Sequence, residues 1–307
     1  MTDITAIRDQ FPILDQQING HPLVYLDSGA TAQKPQCVID AESRFYETVN
    51  AGVHRGAHTL AGLSTVAFEQ ARAKVATLVG ASAEEGNEEL VVTMGATDGL
   101  NTLATAFGNA SLGRGGKVAE RFALKPGDEI VVSRAEHHSV LLPFQELASR
   151  TGATLKWFDL DDDGRILSNT ADEVITERTK VVAVTHVGNV TGAITDIAPI
   201  IKRTHEVGGV FILDACQSVP HIPVDFHALD VDFAVFSAHR CTVPLAWASC
   251  TASAICWRHC LRPSSAVPWS SWPSWTGLPS TWRLRHGSRP GRSRWPKWSQ
   301  RVWRRNG

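Results

Sequence analysis

Short apolar runs alternate with helix-like patterns through the first 240 residues of this chain. Residues 64–79 and 197–206 carry apolar side chains at helical spacing, and Ser64 is a candidate N-cap for the first of these helices. Five runs rich in Val, Ile, Leu and Phe predict buried strands, at residues 89–93, 129–133, 181–185, 210–214 and 233–237. This alternation predicts an α/β fold with a mainly parallel sheet that is covered by helices.

The composition changes after residue 240. All 31 Asp and Glu lie in residues 1–240 with 19 Lys and Arg, so that part has a formal charge of −12. Residues 241–307 contain 11 Lys and Arg, no acid and nine of the ten Trp. The chain therefore divides into an α/β domain at 1–240 and a tail at 241–307 that is rich in Trp, Arg, Ser and Pro and is expected to be disordered.

Cysteine usage and the N-terminus predict a cytoplasmic protein. Cys37 and Cys216 are the only thiols before residue 240, which suits a reducing compartment. The first residues have no basic start followed by an apolar run, so we expect no secretory signal. The longest uncharged stretch, residues 241–257, is shorter than the roughly 20 residues of a membrane-spanning helix.

Polar residues follow several of the predicted strands. Gly95, Ala96 and Thr97 lie between a strand and a helix, where backbone N–H groups and a hydroxyl hold phosphate or where Thr97 simply caps the helix. Asp214 ends a very apolar strand, so its carboxylate needs a cation or several hydrogen-bond donors unless it only forms a turn. Gln217 is a candidate second contact. Such residues gather at the carboxyl ends of parallel strands, where ligands bind.

Histidines follow two other strands and leave several readings open. His137, His138 and His239 indicate catalysis, a metal site or ordinary hydrogen-bonded histidines, but no third ligand lies at a recognisable metal spacing, so we predict no metal. The acidic run at 161–163 is more typical of a solvated turn than of a calcium loop. The histidines and arginine at 54–58 indicate either an anion contact or a structural loop.

In this order, the segments resemble the group II cysteine desulfurase and selenocysteine lyase family, which has the class V aminotransferase fold. The motifs that carry the resemblance are 25–31 (YLDSGAT), 33–35 (QKP), 53–56 (VHRG), 58–59 (HT), 95–101 (GATDGLN), 136–138 (EHH), 185–187 (THV) with Asn189, 214–217 (DACQ) and 237–239 (SAH). The resemblance covers residues 1–239. It implies the large domain of fold type I of the pyridoxal-phosphate enzymes.

The resemblance also implies roles for individual residues. Asp214 would pair with the pyridinium nitrogen of pyridoxal 5′-phosphate, and Gln217 would bond the ring hydroxyl. His137 would stack on the ring and help to move protons, which makes it the candidate catalytic residue, and Asn189 would help to position the substrate. The other expected cofactor contacts are Ala96, Thr97, Ser237 and His239, of which the last three would hold the phosphate.

Arg240 occupies the position of the family's Schiff-base lysine. A guanidinium stays protonated and is a poor nucleophile, so it cannot form the covalent bond to the cofactor. The family's persulfide-forming cysteine and its C-terminal small domain would follow, and no matching region is present. We therefore expect low, noncovalent occupancy by pyridoxal phosphate and no catalysis by this chain.

A frameshift accounts for the tail. The codons allowed for residues 240–253, read one base out of register, permit the family's glycine-rich continuation Leu-Tyr-Gly-Pro-Thr-Gly. We expect residues from about 241 to form no packed domain and to leave an apolar sheet edge exposed.

Two weaker readings are a basic segment that adheres to nucleic acid or membrane, and a zinc site at Cys250, Cys256, His259 and Cys260, whose spacing matches no usual zinc motif.

The function implied by the resemblance is cysteine desulfuration, in which sulfur leaves L-cysteine, alanine is released and a persulfide is passed on. The expected partners are L-cysteine or selenocysteine as substrate, a sulfur-acceptor protein of iron–sulfur cluster assembly, and a second subunit in a homodimer, with neither nucleic acid nor membrane. The alternatives are another class V enzyme, either an aminotransferase or a lyase, and a noncatalytic relative with a basic adhesive tail.

Overall fold

A seven-stranded sheet forms the centre of the fold. The computed structural model describes residues 3–84 and 89–242 and the backbone of 253–257. The strands are β1 Gln17–Ile18, β2 His21–Pro22, β3 Leu90–Thr93, β4 Glu129–Ser133, β5 Thr154–Phe158, β6 Thr179–Thr185, β7 Val210–Asp214, β8 Phe233–Ser237 and β9 Ser253–Trp257. The α-helices are α1 Ile4–Arg8, α2 Gln36–Thr48, α3 Thr59–Leu78, α4 Ala96–Ser111, α5 Gly116–Ala119, α6 His138–Thr151, α7 Ala171–Val174 and α8 Ala198–Glu206.

The main sheet has the strand order β3-β9-β8-β7-β6-β4-β5, and β1 pairs only with β2. The five strands from β8 to β5 are parallel to one another. Each crossover between them includes a helix or a long loop, which parallel pairing requires. The predicted α/β fold with a mainly parallel sheet is confirmed.

Apolar side chains alternate between the two faces of this sheet. In β4, Ile130 and Val132 pack in one cluster with α4 and α6, whereas Val131 packs in the opposite cluster with α8 and the end of α3. Phe233 and Ala234 divide between the same two clusters in β8. Both faces are therefore covered, which explains why the sequence of these strands is apolar without a gap.

The helices differ more from the expectation than the strands do. The structure begins α3 at Thr59, with His58 as the N-cap, and so extends it well before the predicted residue 64. Ser64 lies buried inside that helix and donates a hydrogen bond to Ala51 O at 3.0 Å, so its prediction as an N-cap is wrong. Its hydroxyl satisfies a carbonyl of the preceding loop, a partner that local spacing does not reveal.

One strand lies beyond residue 240. The backbone of Ser253–Trp257 pairs antiparallel with both β3 and β8. This pairing departs from the expectation of an open edge beside β8, because the backbone groups of that edge have partners in β9. The division at residue 240 stays a prediction. The rest of the tail lies outside the described residues, so the predicted alternatives of a zinc site and an adhesive segment stay untested. Within the described part of the chain, no helix has the length and apolar character needed to cross a membrane.

Candidate cofactor site

A cleft of about 430 Å³ lies where β4, β6, β7 and β8 end. These strands end in Ser133, Thr185, Asp214 and Ser237, all of which are buried. The cleft is lined by every predicted site residue, namely Ala96, Thr97, His137, Asn189, Asp214, Gln217, Ser237, His239 and Arg240. A larger groove of about 740 Å³ lies between α4 and α6, but it excludes Asp214, Gln217 and Ser237, so the smaller cleft is the candidate site.

The start of α4 forms one wall of the cleft. Gly95 precedes the helix with φ of 152°, a conformation that favours glycine, and the N–H of Ala96 donates to Ser237 Oγ at 3.3 Å. Thr97 Oγ1 lies 2.7 Å from Ser139 Oγ. Hydroxyl groups and the N-terminus of a 16-residue helix thus meet at one point, an arrangement that suits a phosphate.

His137 caps α6 and is oriented by that role. Its Nδ1 accepts a hydrogen bond from Ser139 N at 3.1 Å and lies 2.8 Å from Ser139 Oγ. An Nδ1 that accepts from a backbone N–H is unprotonated, so the neutral ring carries its proton on Nε2. Sequence reasoning did not assign Ser139, although a hydroxyl two residues after His137 at a helix start was a usable signal.

Asp214 places a buried carboxylate at the end of β7. Its Oδ1 accepts a hydrogen bond from Cys216 N at 3.0 Å, and the three residues before it, 211–213, are fully buried and apolar. A carboxylate in such surroundings is costly unless a cationic N–H or another donor reaches it. The side chain lines the cleft, which therefore suits a ligand with a protonated ring nitrogen.

Asn189, Gln217 and Arg240 form a hydrogen-bonded group on the cleft wall. Asn189 Oδ1 accepts from Gln217 Nε2 and, at 2.7 Å, from Arg240 Nη1. Gln217 Nε2 also donates to Gly29 O at 2.9 Å, which joins the N-terminal segment to the site. Arg240 thus contacts Asn189 directly and is linked to Gln217 only through Asn189.

Glu136 is a half-buried acid in the wall of the cleft. Its Oε1 accepts hydrogen bonds from Ser133 Oγ at 2.5 Å and from Thr185 N at 2.9 Å, while its Oε2 is buried without a partner among the described residues. Burial and the nearby charge of Asp214 raise the pKa of Glu136 to about 8, against these two hydrogen bonds. Glu136 belongs to the sequence motif 136–138, but the sequence analysis predicts no role for it. The signal for such an acid was a carboxylate three residues after a buried strand.

Two other titratable groups of the cleft, Cys216 and His239, are shifted towards their neutral forms. Burial and the negative charge of Asp214 raise the pKa of the Cys216 thiol, so it stays protonated and is a weak nucleophile. Burial, together with the charges of Arg240 and Lys34, lowers the pKa of His239. Lys34 Nζ donates to His239 O at 3.2 Å.

Two other predicted clusters do not belong to this site. His54 Nε2 lies 2.8 Å from Glu69 Oε1, and no residue of 54–58 lines the cleft. Asp161 Oδ1 accepts from the backbone N–H groups of Asp163 and Arg165, as in the predicted solvated turn. The described residues contain no group of three or more His, Cys, Asp or Glu placed to hold a metal ion.

The sheet topology and the cleft together define a class of protein. The model of the family Aminotransferase class-V matches residues 24–245, so the chain belongs to this family. Pyridoxal 5′-phosphate is the cofactor of the family.

The relatives of this chain within the family are cysteine desulfurases. The chain is 47% identical over 243 residues to a probable cysteine desulfurase 2 of Mycobacterium leprae and 44% identical over 245 residues to a probable cysteine desulfurase of Streptomyces coelicolor. These matches cover 79% and 80% of this chain but 55% and 56% of the relatives, so the chain spans about half the length of the curated relatives it matches.

Solved structures give the same result. The crystal structure of the cysteine desulfurase CsdA (S-sulfonic acid) from Escherichia coli matches with a TM-score of 0.69 and 33% identity, over 84% of this chain and 58% of that one. The apo structure of the cysteine desulfurase from Thermococcus onnurineus NA1 matches with a TM-score of 0.71 and 31% identity, over 84% and 58% of the two chains.

The described residues fit the ring and the phosphate of pyridoxal phosphate but not its covalent attachment. The buried Asp214 carboxylate needs a cationic N–H, which a pyridinium supplies, and the start of α4 offers donors for a phosphate. The described residues that line the cleft include no lysine, and the Arg240 guanidinium, which donates to Asn189, is not a nucleophilic amine.

Proposed function

We propose that this chain is the cofactor-binding part of a cysteine desulfurase, and that in its present form it binds pyridoxal phosphate without a covalent bond and does not complete sulfur transfer. The supporting observation is the position of Arg240. It lies in the same cleft as the eight proposed cofactor contacts, hydrogen bonded to Asn189.

The proposed roles follow from the geometry of the side chains. Pyridoxal phosphate, when bound, supplies an electron sink for the substrate's α-carbon. Asp214 would hold the proton on the ring nitrogen because a neutral ring would leave its buried carboxylate without a cation. His137 would offer the Nε2 proton to substrate, since its Nδ1 is engaged by Ser139. Gln217 would accept a hydrogen bond from the ring hydroxyl through Oε1, since its Nε2 already donates to Gly29 O and to Asn189 Oδ1.

The family reaction would use L-cysteine or selenocysteine and deliver a persulfide to an acceptor protein of iron–sulfur cluster assembly. We propose the same substrate and acceptor for this chain, together with a homodimer and a cytoplasmic location. Neither Cys216 nor Cys241 suits the persulfide role, because burial raises the pKa of the Cys216 thiol and raises that of Cys241 to about 11.

A frameshift after Arg240 remains part of the proposal. Resequencing the DNA around codon 240 tests it directly, and one added or removed base should restore a lysine followed by a glycine-rich segment. The repaired gene product should then release sulfide and alanine from cysteine. If the repaired product instead transfers amino groups without releasing sulfide, the alternative of another class V enzyme replaces the desulfurase.

Covalent attachment provides a separate test of the site. Arg240→Lys, treated with pyridoxal phosphate and then borohydride, should carry a stable label at residue 240, detected by mass spectrometry of peptides. The parent chain and Arg240→Gln should carry none in the cleft, because neither side chain is a nucleophilic amine. A label on a cleft peptide of the parent chain, or none on folded Arg240→Lys, would contradict the proposal.

A further inference from the structure

The Arg240 guanidinium has hydrogen-bonding capacity that the described residues do not use. Its side chain follows β8 in a short 3₁₀ turn and lines the cleft. Nη1 donates to Asn189 Oδ1 at 2.7 Å, whereas Nε is buried without a partner among the described residues. A guanidinium has five N–H donors in a fixed fork, and the hydrogen bond to Asn189 uses one of them.

The charge of Arg240 is also not neutralised by a side chain. No carboxylate among the described residues lies within ion-pair distance of it. The residue before it, His239, is also basic, and burial together with the charges of Arg240 and Lys34 lowers the pKa of that imidazole. Of the two acids in the cleft wall, Asp214 is engaged by the N–H of Cys216, and Glu136 is uncharged at neutral pH because its pKa is raised to about 8.

The guanidinium is held in place for recognition. Asn189 Oδ1 accepts from both Arg240 and Gln217, and Gln217 is tied in turn to Gly29 O. A positioned, unpaired guanidinium matches the two oxygens of a carboxylate better than it matches a neutral group. An amino acid joined to the cofactor would carry such a carboxylate, whereas the cofactor alone would not.

We propose that Arg240 makes this cleft a noncovalent site for an amino-acid adduct of the cofactor, in which the arginine binds the carboxylate of the amino acid. This inference rests on the proposed function, since it assumes that ring and phosphate occupy the cleft. Beyond the proposed function, it names Arg240 as the residue that determines specificity. The ligand class is a molecule that carries a phosphate, a protonated ring nitrogen and a carboxylate together.

Two stable probes separate these features in calorimetric titrations of the full 307-residue chain. Pyridoxamine 5′-phosphate carries the ring, the phosphate and an amine but no carboxylate, and N-phosphopyridoxyl-L-alanine adds the carboxylate and methyl of alanine on that amine. We expect the alanine adduct to bind the parent chain at least about tenfold more tightly, the effect of one charge-assisted hydrogen-bonded contact. Arg240→Gln should remove this preference and leave the affinity for pyridoxamine phosphate within about threefold.

Arg134→Gln is the matched control. Arg134 also lines the cleft, but its guanidinium is paired with Asp159 and lies over the Trp157 ring, so its loss should keep the tenfold preference. Thermal unfolding confirms that each variant folds. Asp214→Asn should weaken both probes, because it removes the partner of the ring nitrogen that they share.

The affinities of the two probes distinguish a failure of the Arg240 inference from a failure of the cofactor site. Equal affinity of the two probes for the parent chain overturns the inference and leaves the cofactor site intact. An equal loss of both probes in Arg240→Gln assigns Arg240 to the phosphate and overturns the carboxylate role. Failure of both probes to bind the folded parent chain rejects the inference together with the cofactor part of the proposed function.

Discussion

Glu136→Gln should stabilise the protein in a strongly pH-dependent way. The pKa of Glu136 is raised from 4.5 to about 8 by burial and by Asp214, so the folded state favours the protonated acid. The protonated Glu136 contributes fully to the stability of the fold below pH 4.5, and this contribution is lost as pH rises through about 8. At high pH, folding requires either uptake of a proton by Glu136 or burial of its charge. Glutamine mimics the protonated acid and has no such dependence.

The size of the effect follows from the two pKa values. Linkage gives a cost on the order of 3 kcal/mol for Glu136 at pH 7, and the cost increases by a similar amount between pH 5 and pH 8. The hydrogen bonds should survive the substitution, since the amide oxygen can accept from Ser133 and Thr185 as Oε1 does. Near pH 5 the two proteins should therefore differ little in stability.

Urea denaturation of both proteins from pH 5 to pH 8, followed by circular dichroism, measures this difference. Titration of all other groups cancels between the two chains. Glu146→Gln is the control, because it removes the same charge from an exposed ion pair with Arg150 and should change stability by less than about 1 kcal/mol at every pH. Parallel stability curves for the parent and Glu136→Gln would refute the reasoning.

Three further substitutions test the scaffold. Gly80→Ala should destabilise the protein by more than about 1 kcal/mol in urea denaturation, because φ is +69° and the new Cβ would lie 2.3 Å from Asp225 Oδ1. Gly62→Ala is the matched control: it lies in open space within α3 and should be neutral or stabilising. A reverse order of these two stabilities would contradict the backbone argument. Glu129→Gln should destabilise at pH 7: although burial raises its pKa, its bonds with Thr176 and the charges of Lys156 and Arg178 lower it overall. That deficit should shrink as pH falls below 4.5 through the lowered folded pKa, and a deficit independent of pH would exclude the ion pairs as its cause.

The strands and the gathering of the candidate residues in one cleft were predictable from the sequence. Residues 129–133, 210–214 and 233–237 form strands with the predicted limits, because fully buried parallel strands require uninterrupted apolar runs that end in polar residues. Parallel strands bring those ends to one edge, so the residues that follow them meet in one cleft.

Tertiary structure decided the properties that depend on partners far away in the chain. Ser64 is internal to a helix because Ala51 accepts its hydroxyl, and β9 pairs beside β8 although residues 253–257 showed no strand pattern. The raised pKa of Glu136 requires its enclosure beside Asp214, 78 positions along the chain. The resemblance in sequence predicts that Arg240 occupies the lysine position. Only the fold placed its guanidinium against Asn189, with Nε unpartnered among the described residues, because burial and hydrogen bonding are set by contacts between segments that local patterns do not encode.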